Sequence, residues 1–173
     1  VFENLLASIV PETAKAANER KNKGAFYTPR EIVSYMCKES LKEFMKTKLN
    51  DESLELGVDK LIDLNDAKFL ELKSTGLADL WGVRSKDVVP KLIDVLNDIK
   101  VFDPACGSGA FPMGMLQIIS RTYDRLTAKY DIDKKRHVYA TGKSTYNKYE
   151  SKLNIIRNNL YGSDIEPMAI EIA

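Results

Sequence analysis

Apolar residues recur at helical spacing along the N-terminal half of the chain. Ile32, Val33, Met36, Cys37, Leu41, Phe44 and Met45 share one stripe, so a helix behind Thr28-Pro29 packs that stripe on a core. Thr28 is its expected N-cap, Pro29 its first helical residue and Glu31 the acid of a near capping box. A second set, Leu54, Leu56, Leu61, Ile62, Leu64, Phe69 and Leu70, predicts a helical insertion over 51–98. Trp81-Gly-Val-Arg-Ser85 reads as a turn, with Ser85 capping a helix Lys86–Asp98. The period then changes. An apolar run from Ile99 to Phe102 stops at Asp103-Pro104 and predicts a buried parallel strand. A helix from Ala110 to about Lys129 follows, then a polar connector, a helix near Lys148–Asn158 and a short strand at Leu160-Tyr161.

Composition changes this picture little. The 173 residues are 44% apolar and 29% charged, ordinary for a globular chain that buries a core. A net charge of +1 does not announce a nucleic-acid surface. Cys37, Cys106 and the lone His137 have no metal-ligand spacing, so no metal is expected and a reducing cytoplasm is. No run approaches the roughly 20 apolar residues of a membrane helix. The chain begins with Val rather than Met, which reads as the boundary of a fragment.

The chemistry concentrates at Val101-Phe-Asp-Pro-Ala-Cys-Gly-Ser-Gly-Ala-Phe111. Strand, tight turn and helix start are laid out so that backbone N–H groups converge on a ligand over the strand's carboxyl end. A dinucleotide fingerprint needs a third glycine where Pro112 stands, and a P-loop needs a lysine that Gly107-Ser-Gly109 lacks. Thr141-Gly-Lys-Ser-Thr145 has His137 where a P-loop's first glycine belongs and reads as a polar loop.

Asp103-Pro-Ala-Cys-Gly-Ser-Gly109 resembles the first motif of amino-methylating DNA methyltransferases that use S-adenosylmethionine. Gly24-Ala-Phe-Tyr-Thr-Pro-Arg-Glu-Ile-Val-Ser-Tyr-Met36 resembles the family's tenth motif, and Asn159-Leu-Tyr-Gly-Ser-Asp-Ile-Glu-Pro-Met-Ala169 its second. The tenth motif before the first is the gamma order, used by N6-adenine methylases of restriction–modification systems. Type IIG restriction–methylation proteins, and next the modification subunits of type I systems, look most similar. The resemblance implies an α/β, doubly wound, Rossmann-like fold whose start occupies 99–173, preceded by a helical segment 1–98 that carries the cofactor loop 24–36.

It also implies a cofactor pocket. Asp103, Pro104, Ala105, Gly107 and Gly109 would wrap the methionine end, with Asp103 and the Ala105 carbonyl near its ammonium. Asp164 would accept the ribose diol and Ile165 would pack on the adenine; Tyr27 and Thr28 would close over the methionine moiety. Plainer readings stand beside these. Asp103 can merely cap the next helix. Glu166 competes with Asp164, or serves only as an acid near a helix start. The long interval between the motifs also departs from the about 20 residues usual between strand and ribose acid.

The family's catalytic Asn/Asp-Pro-Pro-aromatic motif is absent, because the chain contains no Pro-Pro pair. No catalytic residue is therefore expected within the chain, and the motif is expected beyond Ala173, which falls inside the helix after the second strand. This reads as a fragment of a larger adenine-N6 DNA methyltransferase. It would hold part of the cofactor pocket, lack turnover by itself, and meet double-stranded DNA mainly through other parts of its parent. Restriction or specificity subunits would be further partners, and no membrane is involved. The alternatives are an S-adenosylmethionine-binding sensor or scaffold of a phage-defence complex, or a methylase of a non-DNA substrate. Glu71-Leu-Lys73 with Asp63 or Asp66 mimics half of a metal nuclease site, but the segment reads as helix. The connector 129–152 carries seven basic residues against three acidic ones, either a strip along a DNA backbone or a solvated loop.

Overall fold

The structure is a computed structural model that describes residues 28–71, 77–130 and 148–165. Helices α1 (Arg30–Leu49), α2 (Glu52–Asp63), α3 (Asp66–Glu71), α4 (Ala78–Trp81) and α5 (Ser85–Asp98) lead to strand β1 (Val101–Asp103). Helix α6 (Ala110–Tyr130), helix α7 (Lys148–Asn159) and strand β2 (Leu160–Gly162) follow. The arrangement is α/β, mostly helical around a two-stranded parallel sheet that pairs Val101 with Leu160, Phe102 with Tyr161 and Asp103 with Gly162. The helix expected to run from Pro167 to Ala173 lies outside the described residues.

Helix α1 begins later than its sequence predicts. Pro29 is the N-cap, with ψ 143° and no side-chain cap bond, so Thr28 does not cap the helix. The extended backbone at Pro29 leaves its carbonyl to accept the Val33 N–H at 3.0 Å. The buried ridge is Val33, Cys37, Leu41 and Met45, while Ile32 and Met36 are 48% and 47% exposed. In the insertion, Leu54, Leu61, Ile62 and Phe69 are buried but Leu56 is exposed. The side chain of Leu70 lies outside the described residues.

Asp51 caps α2 by accepting the Ser53 N–H, and holds Arg84 at 2.5 Å. The segment after Trp81 is not a simple turn. Gly82–Arg84 form a 3₁₀ turn that runs straight into α5, so Arg84 takes the cap position. The Ser85 hydroxyl instead donates to the carbonyls of Leu77 and Gly82, and does not cap the helix. Trp81 explains Gly57: a Cβ there would lie 2.0 Å from the indole nitrogen, which donates to the Leu54 carbonyl.

Two buried polar side chains fasten these layers. Arg125 of α6, 4% exposed, donates to the carbonyls of Leu61, Ile62 and Leu64 at the end of α2, and to Asp66 at 2.8 Å. Asn159, 2% exposed, donates from its amide to the carbonyls of Leu96, Asn97 and Ile99 where α5 ends.

Helices α1 and α6 run in the same direction. Gly114, in the first half of α6, faces Val33 and Cys37 of α1; further along both helices, Lys42 and Arg125 reach the same corner at Asp63 and Asp66. Helix α6 also packs on both strands. Val101 and Leu160 turn toward that core, whereas Phe102 and Tyr161 on the opposite face are 63% and 47% exposed. The expected buried strand is therefore covered on one face only among the described residues, because no described element packs over Phe102 and Tyr161. No helix among them is long and apolar enough to cross a membrane.

Candidate functional site

Parallel pairing brings the carboxyl ends of β1 and β2 side by side. Beyond them the chain is laced together. The Ser163 N–H donates to the Asp103 carbonyl at 2.9 Å, the Cys106 N–H to the Ser163 carbonyl at 3.0 Å, and the Ser163 hydroxyl to the Pro104 carbonyl at 3.2 Å. Asp164 Oδ2 accepts the Gly107 N–H at 2.8 Å. Two stretches separated by more than fifty residues thus form one rim.

Asp103 does not cap α6. Its Oδ1 accepts the Ala105 N–H at 3.1 Å, a local turn, while α6 starts at Ala110 with the Met113 N–H on the Gly109 carbonyl. Asp103 Oδ2 is buried with no hydrogen-bond partner among the described residues. A buried carboxylate oxygen without a donor is costly, and a cationic group at the rim would relieve that cost. Gly107 and Gly109 adopt φ 52° and 83°, left-handed backbone that suits glycine. A Cβ at Gly107 would meet open space, so backbone conformation rather than crowding requires glycine there.

Cys106 is buried between these groups. Burial first, and then the charges of Asp103 and Asp164, push its thiol above the ordinary value, so it stays protonated. It also occupies the space beside Gly162, where a Cβ would lie 3.0 Å from its sulfur. Among the other expected site residues, Pro104 and Ala105 are exposed and Ile165 is 96% exposed beside Asp164. Tyr27 and Glu166 lie outside the described residues, as does every position from Glu166 to Ala173. Residues 1–173 contain no Pro-Pro pair, so the expected Asn/Asp-Pro-Pro-aromatic motif is not among them.

A cleft of about 420 Å³ opens between α1 and α6 at the edge of this rim. Thr28, Ser108 and Gly109 are among the residues that line it, although Thr28 caps no helix. Asp103 and Asp164 do not line it. Gly114 allows the helices to approach; a Cβ there would lie 2.8 Å from Cys37 Sγ and 2.9 Å from Val33 Cγ1. Its signal in the sequence is a glycine inside a helical pattern, which usually has a packing reason. The roles of Ser163, Asn159 and Cys106 carry no comparable signal. Glu71 ends helix α3 rather than lying in a strand, and Lys73 lies outside the described residues. No group of three possible metal ligands exists among the described residues.

The site is therefore a turn between a parallel strand and a helix, closed by an acid that follows the neighbouring strand. The chain is similar to a protein of Methanocaldococcus jannaschii named "Putative type II restriction enzyme and methyltransferase", with 33% identity over 162 residues. The match covers 91% of this chain and 12% of the relative. The chain is thus related to a restriction–modification methyltransferase and spans about an eighth of that protein's length. No family model and no solved structure matches the chain.

Proposed function

We propose that the chain is the cofactor-holding part of a site-specific DNA methyltransferase that transfers a methyl group from S-adenosylmethionine to N6 of a flipped adenine. The observation that carries this reading is the rim itself. Asp103 and Asp164 meet around one glycine turn, and the orphaned Asp103 oxygen fits the ammonium of an amino-acid moiety. When bound, the sulfonium cofactor supplies an electrophilic methyl group.

This chain's residues bind and orient. The glycine turn lets backbone approach the ligand closely, and Asp103 Oδ2 accepts from the ammonium. The Asp164 carboxylate accepts from a ribose hydroxyl, Thr28 closes the cleft side, and Ile165 offers an apolar surface to the adenine ring. The acceptor for the adenine amine protons belongs to an Asn-Pro-Pro-aromatic motif that residues 1–173 do not include, so the isolated 173 residues turn nothing over. Double-stranded DNA is the substrate, met largely through the rest of the protein.

The test incubates the full-length protein with labelled S-adenosylmethionine and unmethylated DNA, then digests the DNA to nucleosides. Label in N6-methyladenine is expected. Cofactor binding without label in DNA would instead assign a sensor module or a different substrate.

A further inference from the structure

The cleft between α1 and α6 extends beyond the proposed cofactor rim, and its charges are one-sided. Arg30, Lys38 and Arg121 line it together with Ser34 and Gln117, and no carboxylate does so among the described residues. The contrast lies within α1 itself. Lys42 is paired with Glu39 at 2.8 Å and Asp63 at 2.6 Å, and Lys46 with Glu43 at 3.4 Å and Asp59 at 2.8 Å. Arg30 and Lys38 line this cleft and also an adjoining hollow with Glu31, Glu39 and Asp63, yet neither enters an ion pair among the described residues. Among the described residues Arg121 pairs only with Asp66, at 4.0 Å, and Arg125 already holds that carboxylate at 2.8 Å.

Uncompensated cations sharing one hollow repel each other, and an anion between them removes that cost. We infer that this cleft binds the phosphodiester backbone of a polynucleotide. Arg30 and Lys38 stand two helical turns apart, roughly 12 Å along the axis. A duplex strand presents a phosphate about every 3.4 Å of its axis, so a backbone engages both ends of the row where a single ion engages one. Ser34 and Gln117 add neutral hydrogen-bonding groups between the cations. The choice of polynucleotide as the anion rests on the DNA reading above; the test does not depend on methyl transfer.

The experiment measures binding of the full-length protein to a short labelled DNA duplex by fluorescence anisotropy, without methyl donor, across a salt series. The cleft variant combines Arg30→Gln, Lys38→Gln and Arg121→Gln. A control variant removes equal charge elsewhere through Lys60→Gln, Lys86→Gln and Lys91→Gln, all exposed positions. Each lost phosphate contact lowers the slope of log affinity against log salt by about 0.9, so the cleft variant should lose about two to three and the control much less. Should the triple variant fail to fold, Arg30→Gln and Lys38→Gln singly should each lower the slope by about one. An equal change in both variants, or none in either, overturns the inference. Stabilisation of the wild type by inorganic phosphate, with an unaltered DNA slope in the cleft variant, assigns the cleft to a free phosphate ligand and also overturns it. Methyl transfer with an unchanged slope would sink this inference alone; a lowered slope without methyl transfer would sink the methylase reading alone.

Discussion

Asp164 reaches back across 57 positions of sequence to accept the Gly107 N–H at 2.8 Å, so the acid after β2 holds the turn after β1. Neither motif forms a site by itself. Replacing Asp164 by Ala should weaken binding of the methyl donor to the full-length protein about tenfold or more, the usual cost of losing a charged hydrogen bond. Asn keeps an acceptor for Gly107 and should cost less. Calorimetric titration with the donor measures both, and an unchanged dissociation constant in the Ala variant would remove Asp164 from the site.

Gly114 is where α1 and α6 touch. Ala gains roughly 1 kcal/mol of helix propensity there, but overpacking against Cys37 and Val33 costs about 1–3 kcal/mol. The net expectation for Gly114→Ala is a loss of about 1 kcal/mol. Adding Cys37→Ala removes the sulfur 2.8 Å away and should restore part of it. Denaturant melts of the two single variants and the double variant give the coupling, which should favour the double.

Arg125 should tolerate almost nothing. Its planar fork satisfies three carbonyls of one helix end and one carboxylate, and it also lies 5.0 Å from the Phe69 ring centre. Arg125→Met strands those acceptors and should cost about 3 kcal/mol or more. Lys carries the charge without the fork, so Arg125→Lys should recover only a minor part. A Lys variant as stable as wild type in urea would refute the geometric account.

Asn159 makes the same kind of closure with a neutral group. Asn159→Asp would turn a buried donor into an acceptor aimed at three carbonyls. The expected loss is about 3 kcal/mol at neutral pH, and more than for Asn159→Ala, because the Ala variant buries no charge. Thermal denaturation of the pair should give that order; the reverse order would argue against the three contacts.

The Asp51–Arg84 pair gives a pH signature. The Arg84 hydrogen bond, then that of Ser53, lowers the Asp51 carboxyl from 3.8 to about 2 in the folded chain. A depressed folded value means stability that is complete above the ordinary carboxylate range and lost as pH falls from about 4 to about 2. Asp51→Asn should lower the melting temperature slightly at neutral pH and converge with wild type near the acid end of that window. Parallel curves at every pH would deny the pair its role.

Much of this was legible because the informative residues are local. The apolar stripe of α1, the strand before Asp103 and the glycine turn each lie within a few neighbours, and the structure forms all three. Two expected caps failed for a shared reason. Thr28 and Ser85 have suitable side chains, but extended backbone at Pro29 and a 3₁₀ turn before Ser85 move the helix starts away from them. The stripe of α1 was drawn too wide because period alone cannot tell which partners exist, so Ile32 and Met36 face outward. The long contacts have no local signal. Nothing near Asn159 in sequence announces the end of α5, and Asp164 is joined to the glycine turn by the motif resemblance alone, which does not foresee its bond to the Gly107 N–H.

That last separation has a kinetic side. Joining β2 to β1 closes a loop of nearly sixty residues, at an entropic cost of roughly 4 kcal/mol beyond a constant. The junction of the two strands should therefore form late and open before the helical core does. Its amide at Gly107, held by a carboxylate from the far side of the closure, is a single-atom clock for that opening. Its hydrogen-exchange rate would report how often the proposed pocket exists at all, and a bound ligand would slow it by the factor in which the closed form is favoured.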